Sequence, residues 1–122
     1  MTERYLFRGI RWSDEGWVQG YYCGLDSAQP HVNGYILCGD SRYEVDPVTI
    51  GQSTGMKDKN DRLIFEGDII QNAASRRGIY EVIWHKNMWC KSEKTVWPLE
   101  NTSYVEVIGN IHDNPELLEE AE

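Results

Sequence analysis

The chain has 122 residues, 40% of them apolar, and a net charge of -8. That length suits one domain or two very small ones, and none of its apolar runs approaches the ~18 residues of a membrane-spanning helix. Its acidic balance repels phosphate backbones and so disfavours general nucleic-acid binding.

The charge is uneven. Residues 1–56 carry four basic and seven acidic side chains, residues 57–112 carry eight of each, and residues 113–122 carry five acids and no base. Cys23, Cys38 and Cys90 are an odd number without CxxC spacing, which fits a reducing compartment better than a disulfide framework. The start, MTERYLFRG, lacks the apolar core of a signal peptide, so a cytoplasmic location is expected. Seven Tyr and five Trp stand against two Phe; residues with an apolar body and a polar edge suit half-buried sheet faces and also binding surfaces.

Read in chain order, the N-terminal part predicts short strands. RYLFRGIRW (residues 4–12) alternates, SDEG (13–16) is a turn, and WVQGYYCGL (17–25) is a second strand. Gly20 inside that run predicts a bulge or a close backbone approach. DSAQPHVNG (26–34) is a loop whose Asn33-Gly34 pair favours a hairpin turn. YILCG (35–39) and YEV (43–45) are strands, and Asp46-Pro47 starts a turn or a single helical turn with Asp as its cap.

The second part opens at TGMKDKNDRLIFEGDII (54–70). Its composition predicts a turn at Lys57–Asp61, a strand at 62–65, a corner at Glu66-Gly67-Asp68 with Gly67 free to take positive φ, and a strand at 69–72. AASRRG (73–78) is a hairpin loop. IYEVIWH (79–85) is a clear strand, with Ile79, Glu81 and Ile83 on one face and Tyr80, Val82 and Trp84 on the other. Residues 87–99 read as two short strands around a polar turn, and YVEVIGNI (104–111) as the last strand. NPELLEEAE predicts one or two helical turns, with Asn114 as cap and Pro115 first in the helix. So short a helix must dock through Leu117 and Leu118 or fray. The whole is mainly β, with the pattern of a small barrel or roll.

These residues resemble the YopX family, small proteins carried mainly by bacteriophages and prophages. The segment YEVDPVTIGQSTGMKDKNDRLIFEGDII carries the resemblance, with LFRGIRW and GWVQGYY at the start and VEVIGNIHDNPELLEE at the end. The chain departs from the family pattern twice: Asn60-Asp61 stands where an Asn-Gly turn is usual, and Ser53 where an aromatic usually precedes Thr54-Gly55. The resemblance implies an N-terminal β region (residues 1–53) and an SH3-like β-barrel with an acidic helical tail (54–122). It implies no activity.

Function therefore rests on the residues. Starting at Asp58, an EF-hand loop needs oxygen ligands and Gly where this chain has Arg62 and Leu63, so the Ca²⁺ template fails. Gly55, Asp58, Asn60, Glu66, Gly67 and Asp68 read as turn chemistry; Glu66 and Asp68 could also be a hydrolase's acid pair. His31, His85 and His112 lack zinc-site spacing, and no P-loop, GxGxxG or GxSxG motif occurs. No metal, cofactor or catalytic residue is expected, and enzyme activity is not. Arg76 and Arg77, followed by Tyr80, Trp84, Lys86, Trp89, Lys91, Lys94 and Trp97, interleave bases with aromatics as a peptide or nucleic-acid groove would. Leu117 and Leu118 could dock a partner or a second copy. The preferred reading is a non-enzymatic module that binds a protein, self or host, as a homo-oligomer. The alternatives are a nucleic-acid-binding barrel and a hydrolase near Glu66 and Asp68.

Overall fold

A computed structural model describes residues 6–25, 34–72, 78–86, 88–92, 96–99 and 102–119. The chain forms two compact units, Met1–Ser53 and Thr54–Glu122. The fold is mainly β, as expected.

The first unit is an antiparallel sheet in which β1 (Phe7–Ile10), β2 (Trp17–Leu25), β3 (Gly34–Cys38) and β4 (Ser41–Val45) pair in sequence order. On the far side of β1, Gly51 and Gln52 of β5 (Gly51–Lys57) pair with Arg8 and Phe7. A bridge from Arg11 to Val45 joins the end of β1 to β4, and the amide of Asp46 donates to the carbonyl of Ile10 at 2.8 Å. The sheet curls around Val18, Ile36 and Val45, with Phe7, Tyr43 and Ile50 packed at the margin.

The turns follow their sequence chemistry. Asp14 accepts from the amide of Gly16 and from Nε of Arg11. Asp46 caps a 3-10 turn, Pro47–Thr49, by accepting from the amide of Val48 at 3.1 Å. Gly20 marks a close approach: a Cβ there would lie 2.0 Å from the carbonyl oxygen of Leu37. The register shift of this hairpin falls later, between Tyr22 and Gly24. The 26–33 loop, with Asn33, lies outside the described residues.

In the second unit β6 (Leu63–Phe65) neighbours β5. The other sheet has the order β10 (Val96–Pro98), β9 (Met88–Ser92), β8 (Ile79–His85), β7 (Asp68–Asn72), β11 (Val105–Asn110). Its strand β7 is buried on both faces, with Ile69 and Ile70 at 0% exposure. Fully burying such a side chain stabilises by about 1.5–3 kcal/mol. Ile64, Ile70, Val82, Leu99, Val105 and Val107 form the core, bordered by Met56, Tyr80 and Trp89.

The expected closed barrel is not found among the described residues. The sheet ends at β10 and β11. Beyond β11 the place of a next strand is taken by the turn after β5: Lys59 donates its amide to the carbonyl of Val105, and Asp58 Oδ2 accepts the amide of Val107, both at 2.9 Å. A side chain thus occupies a ladder position. Strand β5 itself runs where the sequence pattern predicts no strand before the Lys57 turn; two Gly and three polar residues weaken the alternation there.

The C-terminal helix α1 (Glu116–Glu119) is a single turn lying against β8. Leu117 and Leu118 are half-buried. The expected cap role of Asn114 takes another form: its side-chain oxygen accepts the amide of Asn110 at 3.3 Å. No helix among the described residues is long and apolar enough to cross a membrane.

Gly20→Ala is expected to cost more than about 3 kcal/mol in urea unfolding, because backbone must move. Gly39→Ala, at φ 62 with nothing within 4 Å of the added carbon, should cost about 1–2 kcal/mol of strain only. Equal costs would show that the contact at Gly20 does not set the β2–β3 spacing.

Candidate functional site

The signature segment is a set of backbone clamps. Asp58 is 6% exposed. Its Oδ1 accepts the amides of Asn60 and Arg62, both at 2.9 Å, and its Oδ2 accepts that of Val107. Burial opposes ionisation of this carboxyl, but the amides of Val107, Arg62 and Asn60 outweigh it, helped by the Arg62 charge, and hold its pKa below the usual value. Asn60 donates its side-chain amide to Glu106 at 3.1 Å. Gly55 takes φ 78 and Asp61 takes φ 65, a conformation that glycine adopts without strain.

The two acids of the Glu66-Gly67-Asp68 corner act differently. Gly67 between them adopts φ 88. Its amide donates to the carbonyl of Val82, and its carbonyl accepts the amide of Ile111. Asp68, 1% exposed, accepts the amide of Phe65 at 2.7 Å. Glu66 is half-buried and acts through its charge on Glu81 of β8. Burial raises the pKa of Glu81, and the charge of Glu66 raises it further. Among the described residues no three His, Cys, Asp or Glu side chains gather as metal ligands.

A separate aromatic surface lies on the face of the sheet that carries Tyr80, Val82 and Trp84. Around Val82, with Ile70 and Val107, this face is core; Trp84 and Trp97 on it are exposed. Trp84 and Trp89 are cross-strand partners with ring centroids 4.9 Å apart at 71°, an edge-to-face contact. Trp84 is 53% exposed, while Trp89 packs against the core. Further along β9, Lys91 pairs with Val82 and Trp97. Its Nζ sits 4.7 Å from the ring centre of Tyr80, a cation–π contact.

Beside that contact is an open cleft of about 380 Å³, lined by Tyr80, Lys91, Trp97, Pro98 and Tyr104, with Asn72 and Val105 of β7 and β11 completing it. Trp97 is 54% and Tyr104 62% exposed. Tyr104 ends a 3-10 turn, Thr102–Tyr104, that is pinned by the Thr102 hydroxyl donating to the carbonyl of Lys57 at 2.6 Å. Thus the clamp region and the cleft share a scaffold.

The expected groove residues therefore separate. Trp84 and Trp89 form a pair near the β8–β9 turn, while Tyr80, Lys91 and Trp97 meet in the cleft, joined by Tyr104. Arg76 and Arg77 lie outside the described residues. Asn72, Pro98 and Tyr104 carried no local signal, since they meet only through strand pairing and the Thr102 turn.

A model of the family described as YopX protein matches residues 26–119. None of the curated proteins compared matches the chain. A crystal structure of protein EF1440 from Enterococcus faecalis is similar, with a TM-score of 0.62 and 26% identity over 92% of this chain and 96% of that one.

Two outcomes are expected. Asp58→Ala removes an acceptor from three amides and should cost about 3 kcal/mol in urea unfolding at neutral pH. Because the folded pKa of Asp58 is depressed, its contribution is present above the unfolded value and is lost as pH falls through the folded one. The variant should accordingly show a shallower loss of stability below about pH 4 than the wild type. In an NMR titration of carboxyl carbons, Glu66→Gln should move the Glu81 midpoint down toward the ordinary range; an unmoved midpoint would remove Glu66 as its charged neighbour.

Proposed function

The chain belongs to the YopX family, and from that premise we propose that it is a non-enzymatic module that binds a protein partner through the cleft around Trp97 and Tyr104. The observation that carries this reading is the pair of rings, each more than half exposed, that border one cleft, Trp97 from β10 and Tyr104 from the turn before β11. Exposed Trp and Tyr are the residues most enriched where binding energy concentrates. The fold builds its core from buried aliphatic residues, so these two rings are not needed to complete it. In keeping with the resemblance drawn from its signature segment, we infer a phage- or prophage-type accessory acting in the cytoplasm, on a host protein or on its own copies.

A single-stranded nucleic acid is the second reading, favoured by the Lys91–Tyr80 contact beside Trp97 and opposed by the net charge of -8. The two separate by salt. A phosphate-led complex weakens steeply between about 50 and 200 mM salt, roughly in proportion to the phosphates contacted, and a protein contact does not.

Affinity capture from a bacterial host lysate at several salt concentrations should retain a partner on the wild-type protein. The double variant Trp97→Ala, Tyr104→Ala should lose it at least tenfold while unfolding at the same urea concentration. Capture unaffected by the double variant would overturn the cleft as the contact surface.

A further inference from the structure

We propose that the cleft receives a proline-rich segment of the partner in the polyproline II conformation, with an acidic side chain of that segment set against Lys91. This rests on the cleft being a protein-binding surface, as argued above, and adds the chemistry of the ligand.

The other ways of holding a peptide meet obstacles on this surface. Strand addition needs a free sheet edge. Here the edge strand β10 contains Pro98, which has no N–H to offer, and the next amide, that of Leu99, already donates to the carbonyl of Trp89 at 3.0 Å. A helix needs a long apolar trough for anchors spaced over two turns, whereas this cleft is about 380 Å³, near the low end of ligand sites at roughly 300–1,000 Å³. Recognition of phosphate needs several cations, and among the described lining residues Lys91 is the charged one.

The remaining mode fits in three respects. Proline rings pack flat on exposed aromatic rings, and Trp97 and Tyr104 supply them within one cleft, beside half-buried Tyr80 with Lys91 over its ring. A polyproline II segment is already extended and ordered, so little entropy is lost on a shallow surface; one turn spans about 9 Å. Its hydrogen bonding is also complementary. Proline offers carbonyl acceptors and no N–H, while the indole N–H of Trp97, the hydroxyls of the two tyrosines and the Lys91 ammonium are donors. Lys91 then sets direction, because an acid at one end of the segment meets it in one orientation only.

The test is a titration of the ¹⁵N-labelled full chain with three synthetic peptides: a proline-rich decamer with Glu at one end, the same decamer with Lys there, and one with Ala for Pro. A single-stranded oligodeoxythymidine is the fourth probe. The Glu-ended proline peptide should shift the Trp97 indole and the Tyr104 amide, bind at least tenfold tighter than the Ala peptide, and lose tenfold in Trp97→Ala. Lys91→Glu should reverse the preference between Glu-ended and Lys-ended peptides. Equal binding of the Pro and Ala peptides, no binding of either, or a tighter oligodeoxythymidine complex overturns the proposal. If the peptides fail while lysate capture still depends on Trp97 and Tyr104, the ligand chemistry falls and the protein-binding reading stands.

Discussion

One carboxylate organises the second unit. Asp58 gathers the amides of Asn60 and Arg62 from its own turn and the amide of Val107 from a strand 49 residues on. The local pair shapes the turn between β5 and β6; the distant one hooks that turn to the edge of the sheet. A backbone amide left unpaired in so buried a place would cost about 1–3 kcal/mol. The same side chain therefore removes a penalty from β11 and holds its own turn against that strand. It also ends the sheet, since the site that a further strand would use is filled.

The aromatic residues follow from where the sheet is covered. Residues of one strand face share a side but not an environment. Val82 is wholly buried while Trp84, two residues on, is more than half exposed, because the core packs over the first and stops short of the second. At the strand ends that carry Asn72, Tyr80, Lys91 and Trp97 the same face runs out from under its cover, and with the turn residue Tyr104 these border open space. Position at the rim gives this surface access. Thr102, bonded to the carbonyl of Lys57, ties the rim to the strand that leads into the Asp58 turn.

Much of the strand pattern is legible locally. Alternation in 79–85 and the β-branched runs around Ile69 and Val105 mark their strands, and the caps at Asp14, Asp46 and Asp58 follow from the tendency of short acidic side chains to bond nearby backbone. Gly67 takes the positive φ that the Glu66-Gly67-Asp68 corner requires. Strand β5 is not legible, because Gly51, Gln52, Ser53, Thr54 and Gly55 pair and pack well in context while showing no alternation of their own. Asp61 at φ 65 likewise shows a turn geometry held by its surroundings more than by its residue type. As for the cleft, the pattern names Trp84, Trp89 and Trp97 alike and cannot rank them.

By itself the sequence determined the mainly β class, the family and the chemistry of the Asp14, Asp46 and Asp58 turns, since these depend on residues within a few positions of one another. The tertiary structure decided that the second sheet stays open, that Asp58 reaches Val107, that Glu66 acts on Glu81, and that Trp97 and Tyr104 rather than Trp84 and Trp89 border the cleft. Each of those outcomes depends on which strands lie side by side. Strand order joins residues far apart in the chain, and no local propensity encodes that distance.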